Sequence, residues 1–409
     1  MFKFLKVSTY YRDFLRYYYH NYPHIKTACY KEQFIHLMNQ HFAWSDNYSR
    51  FLNKKGVETM EIVTNATPLQ QAWAKENGTN PYQTEQNILI AQIKKFKPEV
   101  IYFQDSINYN GEFIKEIKKK HPFIKLIIGN VCAPFTAMQC HHFVPFNFFT
   151  VCSPFFKQQL AKYSIKSIII PHAFDERVLK KNENDKSYPE ADIIFQGSII
   201  ADEGFHNLRK EILEKVIIED LPFTFYGNLP DSSYISLIKK QASYLASKTL
   251  DKIGLSSITE QVNIIKKGRN HSKMPQKLKI SSTLKKAAKP PLFGIDMFKA
   301  IAKAKIGFNI HIDCAGEYAA NMRLFETTGA GSCLITDNKK NINELFEDGK
   351  EIVTYNNATE CIEKMKWLLN NPEKRKKIAT AGQKRTLKDH TFESRADILY
   401  NEIVKYINQ

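Results

Sequence analysis

The chain has 409 residues, of which 43% are hydrophobic and 25% charged, and a formal net charge of +17. That length exceeds what one hydrophobic core normally supports and points to two domains, or one large one, while the composition excludes disordered and fibrous classes. The basic surface favours polyanionic partners: nucleic acid, anionic membrane or phosphorylated substrates.

The start, MFKFLKVSTYYRDFLRYYYH, interrupts its apolar residues with charges too often for a secretion signal, and no later run approaches the roughly 18 apolar residues of a membrane span. A cytoplasmic protein is expected. Seven scattered cysteines fit a reducing compartment. Their one cluster, Cys132, Cys140, His141, His142 and Cys152, lacks the close cysteine pairs of structural zinc sites, so no metal is expected.

In chain order, VETMEIV reads as a strand, TEQNILIAQIKKF as a helix and KPEVIYFQD as a strand. GEFIKEIKKKHP is a helix, KLIIGNV a buried strand and FFTVCS a weaker one. PFFKQQLAKYSI is a helix with Pro154 at its first position, and SIIIPHAF closes the series. Strands alternating with helices of this length predict a parallel sheet covered on both faces. The polar run from Phe174 to Asp192 marks a boundary, after which the alternation resumes with IIFQGSI. The division is therefore 1–175, a linker at 176–191, and 192–409 with a basic insertion around 231–295. Within that insertion, Gln261 to Ile295 holds nine lysines and arginines and no acidic residue. Its poor helical spacing predicts a solvated or mobile basic loop.

In YAANMRLFETTGAGSCLITDN, helical spacing places Met322 and Phe325 on one buried face, with Asn321, Arg323 and Glu326 elsewhere. Gly329 is expected to end the helix in the left-handed conformation, and Gly331 to turn the chain into the next strand. Taken alone, Arg323 and Glu326 suit a surface ion pair. Ligands bind beyond the carboxyl ends of the strands in open sheets of this kind, so the loops Gly197 to His206, Gly227 to Pro230, His311 to Asn321 and Gly329 to Gly331 should converge. The segment GAGSCL fails as a dinucleotide fingerprint because Leu334 stands where a small residue is needed and the turn runs from helix to strand. Phosphate-loop, serine-hydrolase and zinc-protease motifs are missing, as is any D-x-D that would hold a divalent ion on a diphosphate.

The run NMRLFETTGAGSCLITDNKKNINELFEDGKEIVTYNN, with ECIEKMKWLLNNPEKRKKIATAGQKRTLKDHTFESR, resembles the carboxyl half of spore-maturation-type glycosyltransferases, a branch of the group 1 transferases. FAWSDNYSRFLNKKGVETMEIVTNATPLQQAWA and IIIPHAFD resemble the first domain and linker of relatives among surface-polysaccharide enzymes. The resemblance implies an α/β GT-B fold, two facing Rossmann-like doubly wound domains with an interdomain cleft. It also implies a nucleotide diphosphate-sugar as donor substrate, with no separate cofactor. Glu326 matches the glutamate that accepts hydrogen bonds from the donor ribose, and Asn321 and Arg323 would face the diphosphate or sugar. Gly197 and Ser198 belong to the glycine-rich turn after the domain's first strand, with Arg209 a diphosphate ligand. Tyr226 and Gly227 would border the base, and Gly329 lies in the matched turn. His311 stands where the donor sugar could lie, or is a core histidine.

Many relatives carry a second glutamate eight residues before the first. Here that position is Tyr318, with Glu317 one place off, so retention of anomeric configuration is not implied. Asp46, where a loop enters a helix of the first domain, is either a helix cap or a general base. The expected function is metal-independent transfer of a sugar to a glycan or lipid-linked acceptor in surface-polysaccharide synthesis. Peripheral contact with anionic membrane through 266–289 is also expected. A nucleotide-sugar epimerase and a basic nucleic-acid-binding protein are the alternatives, the latter without a supporting motif.

Overall fold

A computed structural model describes residues 2–182, 187–199, 207–255, 262–269, 271, 273–277, 280–311 and 315–408. Among these residues, two six-stranded sheets form, each parallel throughout. The first contains β1 (Lys3–Ser8), β2 (Glu58–Val63), β3 (Val100–Phe103), β4 (Leu126–Val131), β5 (Phe148–Val151) and β6 (Ser167–Ile169), in the order β2-β1-β3-β4-β5-β6. The second contains β7 (Ala191–Gln196), β8 (Phe223–Tyr226), β9 (Ala288–Lys289), β10 (Ala304–Asn309), β11 (Cys333–Asp337) and β12 (Val353–Tyr355), in the order β12-β11-β10-β7-β8-β9.

Side chains alternate between two covered faces. Leu5, Val7, Ile101, Phe103, Ile127 and Phe149 enter one apolar cluster, while Phe4, Val100, Tyr102, Leu126, Ile128 and Phe148 enter another behind the sheet. This double burial explains the nearly unbroken apolar strands. In the second sheet Ile193, Phe195, Ile306, Phe308, Cys333 and Ile335 share one cluster, and Leu334 packs behind with Phe298 and Ile301.

The sequence division needs one change. The helix Phe392–Ile407 buries Phe392, Ala396, Leu399 and Ile403 in the cluster behind the first sheet, beside Trp44, Tyr48 and Phe51. The chain therefore returns to the first domain at its end. Two networks hold this crossing. Asp175 is bonded by Nδ1 of His41 at 2.8 Å and by Arg177, which also reaches Asp46 at 2.7 Å. Arg395 donates to the carbonyl of Pro171 at 3.0 Å and to Nδ1 of His390 at 2.9 Å, while the Phe174 amide donates to the His390 carbonyl at 2.8 Å.

The basic insertion also differs from the expected loop. Its described parts include the helices Tyr234–Lys252, Asn263–Gly268 and Ser282–Ala287, and β9 pairs with β8 at the sheet edge. Leu284 anchors the third helix in the core of the second sheet. The side chain of Lys266 and residues 270, 272, 278 and 279 lie outside the described residues.

Candidate active-site cleft

Each sheet reverses its strand order once, between β1 and β3 in the first and between β7 and β10 in the second. At such a reversal the crossover helices diverge to opposite faces, and a crevice opens beyond the carboxyl ends of the two strands.

At the second crevice, β7 ends at Gln196 and continues into Gly197 and Ser198, and β8 ends at Tyr226. The amide of Gly197 donates to the Tyr226 carbonyl at 3.0 Å. A Cβ on Gly227 would stand 2.1 Å from the Gly197 carbonyl oxygen, so the two loops can touch only because residue 227 is glycine. Burial raises the Tyr226 hydroxyl. Arg209 lies beside them but is held by protein: Nη1 donates to the Ser198 carbonyl at 2.7 Å and Nη2 to the Ile310 carbonyl at 2.8 Å. It pins the turn after β7 to the end of β10. The rest of the expected loop, residues 200–206, lies outside the described residues.

His311 follows β10, buried. Its amide and Nδ1 both lie 2.8 Å from Oδ1 of Asp337, the last residue of β11. Burial raises the Asp337 carboxyl, but His311 and Lys339 outweigh that effect and hold it down at about 2. The sequence offered no sign of Asp337, because only the folded register brings the ends of β10 and β11 together. Residues 312–314, next to His311, lie outside the described residues.

Asn321 donates to Oδ1 of Asn309 at 2.8 Å. The helix Arg323–Gly329 follows, with Glu326 buried and its carboxylate 2.8 Å from Nη1 of Arg323. The two do pair at i,i+3, with Glu326 buried and the Arg323 side chain 20% exposed. Burial raises the Glu326 carboxyl, and Arg323 opposes the rise. Gly329 also departs from expectation, since it is the last helical residue and the left-handed one is Gly331, at φ 93°. Gly329 is small for another reason: a Cβ there would lie 2.4 Å from the ring of Phe174, just before the interdomain linker. Met322 and Phe325, expected on one face, separate between the clusters of the two domains.

The buried polar atoms at these loops that make no hydrogen bond among the described residues include Gln196 Oε1, His311 Nε2 and Asn321 Oδ1. These three sit at the end of β7, just past the end of β10, and before the Glu326 helix. An unmet polar atom in a protein interior costs about 1–3 kcal/mol, and unmet atoms grouped at a crevice are what a polar ligand would satisfy.

The first crevice holds a cavity of about 1250 Å³. Tyr10, Tyr11, Tyr19, Tyr109, Arg12 and Asp105 are among its lining residues. Asp105 stands past the end of β3, accepting hydrogen bonds from Thr9 and Asn108, with its carboxyl raised by burial. Tyr11 lines this cavity and is 73% exposed. The surrounding walls raise its hydroxyl, and the charges of Asp105 and Glu326 add to the rise from the two domains.

Asp46 does not line this cavity. It occupies the N-cap position of the helix Asn47–Lys54 but makes no cap bond, and its carboxylate instead pairs with Arg177. Glu317 pairs with Lys340 on the surface, and Tyr318 accepts from Gln158 at 3.4 Å. Of the cysteine and histidine cluster, the fold unites only Cys132 and Cys152, and it adds His172; their ligand atoms lie within 4.8 Å of one another.

Residues 261–401 match a family model described as glycosyl transferase-like. No curated protein matches the chain in sequence. Among solved structures, a glycosyltransferase from Rickettsia africae is similar at 11% identity and TM-score 0.53, with 99% of each chain covered. Sucrose-phosphate synthase from Thermosynechococcus elongatus is similar at 10% identity and TM-score 0.53, over 98% of this chain and 99% of that one. HepE from Anabaena, solved with UDP, is similar at 8% identity and TM-score 0.51, over 98% and 100%. The chain thus carries a glycosyl transferase-like segment within the GT-B fold, two Rossmann-like parallel sheets facing across a cleft.

Proposed function

We propose that the protein is a glycosyltransferase that moves a sugar from a nucleoside diphosphate donor, held at the second crevice, to a glycan or lipid-linked acceptor at the first, in surface-polysaccharide synthesis. The observation that carries this reading is the group of unmet polar atoms that includes Gln196 Oε1, His311 Nε2 and Asn321 Oδ1, beside the buried Glu326. HepE, of the same fold, is solved with UDP, which supports a nucleotide as the ligand. Glu326 would accept from the ribose hydroxyls, since a carboxylate offers acceptors to both. Arg323 would face the diphosphate and stabilise charge as the leaving group departs. Arg209 acts mainly by holding the Gly197 turn in place, because two of its donors already serve backbone carbonyls.

The acceptor reading rests on the tyrosine-lined cavity. Sugar rings bury their apolar faces against aromatic side chains while polar groups bind the hydroxyls. Asp105, which lines that cavity, is better placed than the ion-paired Asp46 to accept a proton from an acceptor hydroxyl. An epimerase needs no second binding chamber, so a cavity of about 1250 Å³ favours transfer. The test is consumption of a panel of nucleotide sugars in the presence of saccharide and polyprenyl-phosphate-sugar acceptors. Release of nucleoside diphosphate that depends on acceptor supports the reading; interconversion of donor sugars without release would replace it with epimerisation.

A further inference from the structure

The helix Tyr234–Lys252 is inverted with respect to an ordinary surface helix. Its inward positions include the polar Ser243 and Ser247, while Ile235, Ile238 and Leu245 are 68%, 62% and 51% exposed. With Ala242 these residues follow an i, i+3, i+7, i+10 spacing and form one continuous outward stripe. Among the described residues, the helix places no side chain in any apolar core cluster. Its inner face is polar because it is crossed closely: a Cβ on Gly268 would stand 2.1 Å from the Ser243 carbonyl oxygen, leaving no space for larger side chains. The neighbouring helix Asn263–Gly268 adds Ile264, 71% exposed, and Ile253 at the end of the long helix is 60% exposed.

The apolar stripe lies in the most basic part of the chain. Residues 231–290 contain thirteen lysines and arginines against three acidic residues. On the long helix, exposed Lys239 flanks one side of the stripe, and exposed Lys248 and Lys252 flank the other. Among the described residues, no helix is long and apolar enough to cross a membrane. An apolar stripe flanked by lysines on both sides is instead the pattern of a helix lying in the plane of a lipid surface. There, apolar side chains enter the acyl boundary and lysines reach the headgroups.

We propose that the outward face of the helix Tyr234–Lys252 docks on anionic lipid, holding the second domain against the membrane. The claim extends the proposed function by seating the enzyme where a lipid-linked acceptor would lie. It differs from the expected basic loop in assigning the contact to a folded apolar face, with the lysines supplying preference for negative charge. A second copy of the chain is the competing occupant, and the basic flanks oppose it because two such faces would bring like charges together.

Vesicle flotation tests this, comparing equal parts phosphatidylglycerol and phosphatidylcholine with phosphatidylcholine alone. The full chain should float with the anionic vesicles and dissociate as salt rises. The triple variant Ile235→Ser, Ile238→Ser, Leu245→Ser should bind at least roughly tenfold more weakly and keep the wild-type Tm, because the replaced side chains face solvent. The variant Lys239→Gln, Lys248→Gln, Lys252→Gln should lose the preference for anionic vesicles, roughly fivefold per lysine at low salt. No flotation of the wild-type chain, or a lowered Tm in the serine variant, would overturn the proposal. A dimer in sedimentation that the serine substitutions disperse would also overturn it. Nucleotide binding measured without vesicles is independent of all these outcomes, so failure of donor binding and failure of docking are read separately.

Discussion

Arg395 donates to Nδ1 of His390 at 2.9 Å while Nε2 of the same ring lies 2.9 Å from the Leu345 carbonyl, so the imidazole accepts on one side and donates on the other. That arrangement requires the neutral ring. Burial, then the Arg395 charge, lowers His390 to about 4, although the Leu345 carbonyl opposes the shift. His172, whose carbonyl Arg395 also binds, is lowered to about 4 by burial and the same guanidinium.

This pair makes the domain crossing acid-labile. Both histidines titrate lower in the folded chain than the ordinary 6.5, so the unfolded chain takes up protons first. Their contribution is fully present above about pH 6.5 and is lost as pH falls toward 4. The limit is roughly 3 kcal/mol for each ring. Urea unfolding at pH 7.5 and pH 5 should show a clear fall in midpoint, reduced in His172→Gln. Equal midpoints at the two pH values in the wild type would contradict the account.

Asp46 is predicted to support the linker and not the chemistry. Its partner Arg177 leaves it a quarter exposed, so Asp46→Asn should cost about 1 kcal/mol. Turnover per folded molecule should change by less than about threefold. A loss of roughly 100-fold with unchanged Tm would restore Asp46 as the general base.

For His311 and Asp337 the expected effects separate. Asp337→Asn removes the charge that fixes the imidazole and should destabilise by about 1–3 kcal/mol. Because Asp337 is held at about 2, below the ordinary 3.8, its stabilisation is present above pH 3.8 and is lost as pH falls toward 2; the variant should lack this phase. His311→Ala should lower turnover more than it lowers stability if Nε2 meets the donor sugar. Unchanged turnover would return His311 to the core.

Metal independence is predicted from the missing D-x-D and from the arginines near the proposed diphosphate site. Donor turnover should persist in excess chelator. Loss restored by magnesium or manganese would contradict this, and loss restored only by zinc would point to Cys132, Cys152 and His172.

Much of the fold could be read from the chain because buried parallel strands are apolar runs. Val100–Phe103 and Leu126–Val131 stood out for that reason, being buried at every position. The strand Lys3–Ser8 did not, though it is central, because Lys3 and Lys6 break the pattern. Lys6 is buried and pairs with Glu61 at 3.0 Å, a compensation visible only in three dimensions. The return of Phe392–Ile407 to the first domain likewise leaves no local mark. In the cleft, Glu326, Arg323 and Gly227 were singled out as candidates through the resemblance. Asp105 and Asp337 were not, since each acquires its surroundings from residues distant in sequence.

The central claim is that the Arg323–Glu326 pair lies in a nucleotide site, and titration calorimetry with UDP, GDP, ADP and dTDP tests it most directly. One of these should bind the wild-type chain, and Glu326→Ala, with its fold intact by circular dichroism, should bind it roughly ten- to more than a hundredfold more weakly, matching a lost charged acceptor worth about 1.5–3 kcal/mol. Glu326→Gln, which keeps one acceptor, should fall between the two. Binding of equal strength by the alanine variant, or no binding of any of the four by the wild type, would contradict the assignment.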